Sequence, residues 1–317
     1  MTKGIIYVIL ATIGWGLVGT FIHLLPQIDS VTLTFSRVIF GLLGIVFFAF
    51  IFKRHKDLFG GFKKEIILQG LVFTGTTLFF IISVRLSTVA NAVFLQYSAP
   101  IFAVVLSRIF LKERIERKTF SSLILSFLGI LIIFGGNFDP NFTLGNIFGL
   151  LSGICYSIQI IIGKRLGDSY AGYKIAFWQC LIAIPILLPL ANFSQILNLS
   201  GVNLLVLISF GLVCTGMAES LFFQGLRLIR AQDASIFIVL DAIFNPLFVF
   251  IFFWIKPPVE TLIGGVLIIG AILIQSNLIR KKTGSNIPTF ALKSSKGYGR
   301  AKRPIAPALT FWKISLI

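Results

Sequence analysis

Apolar residues run along this chain in blocks of about twenty, separated by short polar stretches, from Gly4 to Arg280. A helix rises 1.5 Å per residue, so about 20 apolar residues cover the roughly 30 Å hydrocarbon core of a bilayer. Ten blocks meet that length: 4–23, 31–52, 66–84, 88–111, 119–136, 144–163, 172–191, 203–224, 232–255 and 260–280. Strict alternation of polar and apolar positions is absent, which argues against a β-barrel. The pattern predicts an all-α membrane protein of ten transmembrane helices. With 56% hydrophobic and 12% charged residues, the composition excludes an ordinary soluble domain.

The blocks nearly repeat. Gly4 to Leu25 lies without gaps on Gly145 to Leu166, matching Gly4 with Gly145, Leu10 with Leu151 and Trp15 with Tyr156 at an offset of 141. Thr77 to Phe102 lies on Glu219 to Phe244, matching Phe80 with Phe222, Arg85 with Arg227 and Ala92 with Ala234 at an offset of 142. Each copy holds five blocks, and an odd number turns the second copy upside down in the membrane. The expected division is residues 1–142 and 143–280 as two inverted five-helix repeats, the frame on which many secondary transporters rock one half against the other.

Charge sets the expected orientation. Of the 28 Lys and Arg residues, 24 fall at the N-terminus, in the 53–64 and 112–118 loops, near 164–174 and 227–230, and from Arg280 onward. By the positive-inside rule these segments and both termini face the cytoplasm. Lys3 before an apolar run resembles a secretory signal, but no small-x-small cleavage site follows, so the first block is expected to remain. Residues 281–317 carry eight basic residues and no acid, and read as a disordered cytoplasmic tail with weak attraction for anionic lipid. Cys155, Cys180 and Cys214 lie inside apolar blocks without metal-ligand spacing.

The stretch from Leu95 to Gly136 resembles the end of a repeat of the EamA family, within the drug/metabolite transporter superfamily. The resemblance rests on Pro100, the Leu111-Lys112-Glu113-Arg114 turn and the Gly129-containing helix. Gly14-Trp15-Gly16 and Ser36-Arg37 are similar to the family pattern too. The second copy departs from it: Asp241-Ala242 stands where Ala99-Pro100 would be repeated, the proline moves to Pro246, and Ile255-Lys256-Pro257-Pro258 replaces the acidic turn. The resemblance implies a carrier of amino acids, other metabolites, drugs or sugars.

Polar side chains inside a bundle are costly unless they are paired or face a wet cavity, so they mark the candidate pathway. Trp15 and Tyr156, repeat partners about 17 Å from their entry faces, either line a central cavity or fill the core between halves. In the fourth block Asn91, Gln96, Tyr97 and Ser98 form a polar stripe, and the ninth contributes Asp233, Asp241 and Asn245. The amides serve equally well as ligands for cargo or as glue between helices. Glu219 and Asp241 are the acids best placed to carry a coupling proton or to attract an ammonium group, with a structural ion pair as the alternative. Arg37 either clamps a carboxylate or reaches the outer interface.

One or two arginines against two acids disfavour highly anionic cargo. The expected function is secondary active transport of a small neutral, zwitterionic or weakly cationic metabolite, an amino acid or a related compound, exported across a bacterial cytoplasmic membrane by alternating access. The expected partners are that substrate and the lipid bilayer. No cofactor, metal or nucleic acid is called for, and the pattern leaves the oligomeric state open, a monomer included. A lipid-carrier flippase and a multidrug exporter are alternatives of the same superfamily. A membrane-embedded transferase would need a nucleophile-base pair or metal cluster, and neither HExxH nor GxSxG occurs.

Overall fold

The computed structural model describes residues 2–134, 139–254 and 259–283. Nine helices of these residues are long and apolar enough to cross a membrane: α1 Lys3–Leu24, α2 Ser30–Ile51, α3 Glu65–Leu86, α4 Asn91–Phe110, α6 Thr143–Leu166, α7 Gly172–Leu190, α8 Gly201–Leu228, α9 Ala231–Phe253 and α10 Val259–Ser276. Helix α5, Arg117–Phe134, lies between α4 and α6, and the helix of α10 continues to Thr283. No strand occurs among the described residues. These helices coincide with the expected blocks to within about a turn. The Ile255–Pro258 turn and residues 284–317 of the expected tail lie outside the described residues.

Local chemistry fixes several helix ends. The Asp29 carboxylate accepts from the N–H groups of Val31 and Thr32 and starts α2, and the Ser200 hydroxyl accepts from Asn203 N–H at the start of α8. Beyond α4, Lys112 takes a left-handed conformation (φ 56°), which ends the helix and turns Glu113 toward the rest of the bundle.

The packing pairs have a pattern of their own. Helix α1 packs on α8 and α6 on α3; α1 packs on α9 and α6 on α4; α2 packs on α8 and α7 on α3. In each couple, adding five to the first pair's helix numbers, counted around ten, gives the second. Helix α7 packs on α8 and, less extensively, α2 on α3 in the same relation, while the pairs α5 with α10, α2 with α7 and α4 with α9 map onto themselves. Because lipid tails are as apolar as leucine, helices in a bilayer associate through close packing and polar contacts, and small residues let the backbones approach. A Cβ on Gly4 would stand 2.8 Å from Leu228 Cβ, and one on Gly145 would stand 2.7 Å from Ser87 Cβ. Where α5 crosses α10, a Cβ on Gly129 would stand 2.7 Å from the Gly264 carbonyl oxygen.

The matched arginines also act alike. Arg85 donates to the carbonyls of Leu25 and Ile28, both at 3.1 Å, and to Pro26 at 3.5 Å. Arg227 donates through Nε to the Gly167 carbonyl at 2.7 Å. Pro26 and Gly167 are 141 residues apart, so each arginine ties down the loop that follows the first helix of its repeat.

Several helices are interrupted, which the apolar pattern alone does not predict. In α1, Leu17 N–H donates to Gly14 carbonyl at 3.3 Å, a tightened turn at the Gly14-Trp15-Gly16 step. Helix α4 stops at Gln96 and resumes at Ala99. Pro100 has no N–H to give the Gln96 carbonyl, so the helical ladder breaks there. Helix α9 contains a 3₁₀ turn at Ile238–Leu240 between Ala231–Phe237 and Asp241–Phe253. The breaks in α4 and α9 lie at equivalent places in the two copies. Helix α8 passes through a π-helical stretch, Gly211–Met217.

Candidate functional site

The interrupted helices surround a central cavity of about 60 Å³, counted as the space open to the centre of a water molecule. About 10–15 Å³ on this measure holds one water, so the cavity has room for roughly four. Trp15, Arg37, Gln96, Tyr97, Tyr156, Glu219, Asp241 and Asn245 all line it. Eight of the nine candidate residues, drawn from six separate helices, therefore share one wall. Asn91 is the exception and corrects the expectation of a ligand role. Its amide donates to the Asp139 carbonyl at 2.9 Å and to Asn146 Oδ1 at 2.7 Å, while its N–H is capped by Thr88, so its polar groups are consumed at the start of α4.

Helix α1 brings Trp15 inward because glycines flank it. A Cβ on Gly14 would lie 3.0 Å from Ala218 Cβ, and one on Gly16 would lie 2.6 Å from Phe244 Cβ, so α1 sits directly against α8 and α9. Trp15 Nε1 then donates to the Cys214 carbonyl at 3.1 Å. Its ring meets Tyr156 edge-on at 5.9 Å and Phe222 at 5.1 Å. The repeat partners thus touch each other, with the fully buried Phe222 packed against both rings. The Tyr156 hydroxyl is buried and has no partner among the described residues.

Arg37 points into the bundle rather than toward the outer interface, and is only 4% exposed. Its Nε donates to Thr215 Oγ1 at 2.8 Å and one terminal nitrogen to the Cys214 carbonyl at 3.3 Å, with the guanidinium 5.1 Å from the Phe210 ring centre. These bonds use the π-helical stretch of α8. A Cβ on Gly216 would lie 2.9 Å from the Gly41 carbonyl, so α2 and α8 run backbone to backbone beside the arginine. Among the described residues no carboxylate oxygen lies within 4.0 Å of it. The cation is held by neutral acceptors, and N–H groups remain for an anionic group entering the cavity.

The acids occupy different settings. Glu219 accepts from Gln179 Nε2 at 2.9 Å and from Gln159 Nε2 at 3.3 Å. Gln69 Nε2 donates to Gln179 Oε1 at 3.1 Å, extending this network to α3. Asp241 opens the second part of α9 beside the 3₁₀ turn, and no hydrogen bond or ion pair to its carboxylate is found among the described residues. Asn245 lies one turn further, its amide against Gly19, where a Cβ would come within 2.9 Å. Gln96 donates to Ser152 Oγ at 2.8 Å. The sequence reading missed Gln69, Gln159 and Gln179, and the cavity-lining Thr76 and Thr77. A signal for Gln159 existed: it follows Tyr156 by three residues on one face of an apolar helix.

Asp233 belongs elsewhere. It pairs with Arg230 at 2.7 Å and accepts from Gln275 at 2.6 Å, while Arg230 also pairs with Glu116 at 3.0 Å. The hydrogen bond to Asp233 chiefly holds Arg230 above the ordinary arginine range. Glu113, of the acidic turn, accepts from the N–H groups of Ala231 at 3.0 Å and Gln232 at 3.3 Å, capping α9 from the other half. The stripe expected along α9 is therefore divided between a latch at its start and a cavity wall at its middle.

The EamA-like transporter family model matches residues 2–135 and again residues 143–276. An uncharacterized transporter of Archaeoglobus fulgidus is 27% identical over 275 residues, covering 86% of this chain and 96% of its own. The riboflavin transporter ImpX of Fusobacterium nucleatum is 25% identical over 74% of this chain and 84% of its own, and an S-adenosylmethionine uptake transporter of Rickettsia felis is 24% identical over 79% and 84%. A protein of known crystal structure, 14% identical, shares the fold with a TM-score of 0.76 over 88% of this chain and 99% of its own. With both halves matched by the family and the multi-pass helical fold in place, the chain belongs to the EamA-like transporter family and is a membrane protein.

Proposed function

We propose that the protein is a secondary transporter for a small amphoteric metabolite, an amino acid or a close derivative, and that it exports this cargo by alternating access. One observation carries the reading: the Arg37 guanidinium and the Glu219 and Asp241 carboxylates line one aromatic cavity, and Arg37 has no carboxylate within ion-pair distance among the described residues. A cargo carboxylate complements Arg37, a cargo ammonium complements Asp241, and the Trp15, Tyr97 and Tyr156 rings that line the cavity accept the aliphatic, aromatic or cationic remainder. The name of the Rickettsia relative supports this class, because S-adenosylmethionine carries an α-amino carboxylate together with a further positive charge.

A cavity with room for roughly four waters must widen to admit such a cargo. The self-mapping set of helix pairs, the family match to each half and the equivalent breaks in α4 and α9 support two inverted five-helix repeats, ten spanning helices in all, rocking about the cavity. Discontinuous helices at the repeat interface are where transporters of this design place their substrate.

Counterflow in proteoliposomes tests the proposal. Vesicles preloaded with each of a panel of amino acids, their methyl esters and simple amines are expected to take up labelled compound only for the intact amino acids. Arg37→Gln is expected to remove the discrimination between acid and ester, and Asp241→Asn to lower affinity for the ammonium-bearing members. Equal transport of acids and esters by the wild type, or unchanged discrimination in Arg37→Gln, overturns it.

A further inference from the structure

After Arg37 and Asp241 are assigned to an amphoteric cargo, Glu219 is left over. It is 4% exposed, and it has no cation within 4.0 Å among the described residues. Its recorded partners are two amide N–H groups, which orient a carboxylate without neutralising it. A carboxylate so placed in a membrane bundle either takes up a proton or holds a cation.

The groups around it are of one kind. Gln159 spends its N–H donors on Glu219 and Gln179, and its Oε1 is buried without a partner. Thr76 and Thr77 line the same cavity and are buried, and each hydroxyl donates its proton to its own helix, at the carbonyls of Val72 (2.8 Å) and Phe73 (3.0 Å). What these threonines can offer the cavity is lone pairs only. A carboxylate, an amide oxygen and two hydroxyl oxygens, with their hydrogens engaged elsewhere, are the ligand set of a hard cation. Thr77 is also the repeat partner of Glu219, so the set straddles the two halves of the molecule at equivalent points of α3 and α8. A cation bound there is sensitive to how the halves are placed.

We propose that Glu219, Gln159, Thr76 and Thr77 form a binding site for a monovalent oxygen-coordinated cation, a sodium ion or hydronium, and that this is the coupling ion of the transporter. The coupling role rests on the transport reading above; the binding site does not. Arg37 from α2, Tyr156 from α6, Cys180 from α7, Cys214 of α8 itself and Asp241 from α9 are the titratable groups facing this region. Gln179 and Gln69, linked to the carboxylate in series, are positioning residues.

The test needs no cargo. Thermal unfolding of the purified full chain in detergent is followed in sodium chloride against choline chloride at constant ionic strength, across pH 5.5 to 8.5. A ligand that binds only the folded state raises its midpoint with the logarithm of concentration. For a sodium site, the wild-type midpoint rises with sodium, Glu219→Gln removes the rise, and Thr77→Val or Gln159→Leu moves the half-maximal concentration upward about tenfold or more. For hydronium, sodium has no effect, the midpoint rises toward acid pH, and Glu219→Gln flattens that slope while Asp241→Asn keeps it. A wild type that ignores both ions, or a Glu219→Gln variant that responds as the wild type does, overturns the proposal. Should Glu219→Gln fail to fold, Gln159→Leu and Thr77→Val decide it by the same shift, and an unshifted response in both overturns it. Counterflow that fails while the cation response persists sinks the cargo reading alone; a missing cation response with counterflow intact sinks this one alone.

Discussion

Single residues in this bundle are best understood by what their polar atoms are left to do. Arg37 hands two of its N–H directions to α8 and keeps the rest, whereas Asn91 has none to spare. Tyr156 is the contrasting case, with a buried hydroxyl that has no protein partner among the described residues. An unmet buried polar group costs free energy, so Tyr156→Phe is expected to leave the unfolding midpoint unchanged or to stabilise the folded state by about 1 kcal/mol. If cargo uses the hydroxyl, the same variant weakens the counterflow half-saturation several-fold with its stability intact. Measuring both on one preparation separates a packing role from a contact with cargo.

Among the elements, α9 is fastened at its start and interrupted at its middle. Its start is capped by Glu113 and held by the Arg230 pair with Asp233 and Glu116, its middle tightens into a 3₁₀ turn, and its next residue, Asp241, faces the cavity. A 3₁₀ stretch within a longer helix is a common place for a hinge. Arg230→Ala leaves Asp233, 2% exposed, without its cation. Removing one partner of a buried pair costs about 3 kcal/mol, since the other charge stays behind uncompensated. The expected result is a markedly lower unfolding midpoint in Arg230→Ala, and recovery of most of the loss when Asp233→Asn is added. No recovery in the double variant would show that the arginine acts through other contacts.

For the whole molecule, the decisive feature is that the same interfaces are built twice. Arg85 and Arg227 fasten equivalent loops, Gly4 and Gly145 admit equivalent backbones, and α4 and α9 break at equivalent points. Inversion predicts that these equivalents lie on opposite sides of the membrane. Single cysteines placed at Lys56 and Arg114, in a background lacking Cys155, Cys180 and Cys214, are expected to react with a membrane-impermeant maleimide only from the cytoplasmic side. Cysteines at Gln27 and Asn192 are expected to react only from outside. Labelling of Lys56 and Asn192, in equivalent loops of the two copies, from the same side would remove the inverted arrangement.

How much of this could be read from the chain follows from the range of the forces involved. Helical spans were legible because whether twenty residues enter a membrane depends on those residues alone, and the offset of 141–142 was legible because duplication leaves a linear trace. Most of the candidate site was legible for the same local reason: a polar residue deep in an apolar block has few places to go. The sequence did not separate Asn91, which pairs with groups 48 and 55 residues away, from Gln96, which lines the cavity. Nor did it show that Glu113 caps a helix 118 residues later. It did not gather Gln69, Gln159 and Gln179 around Glu219 either. By itself, then, the sequence determined which segments lie in the membrane, how many times the unit occurs and which residue types must find partners there. Only the tertiary structure decided which partners they found, because that depends on which helix faces meet and how closely glycines let the backbones approach, and neither is written in any one segment.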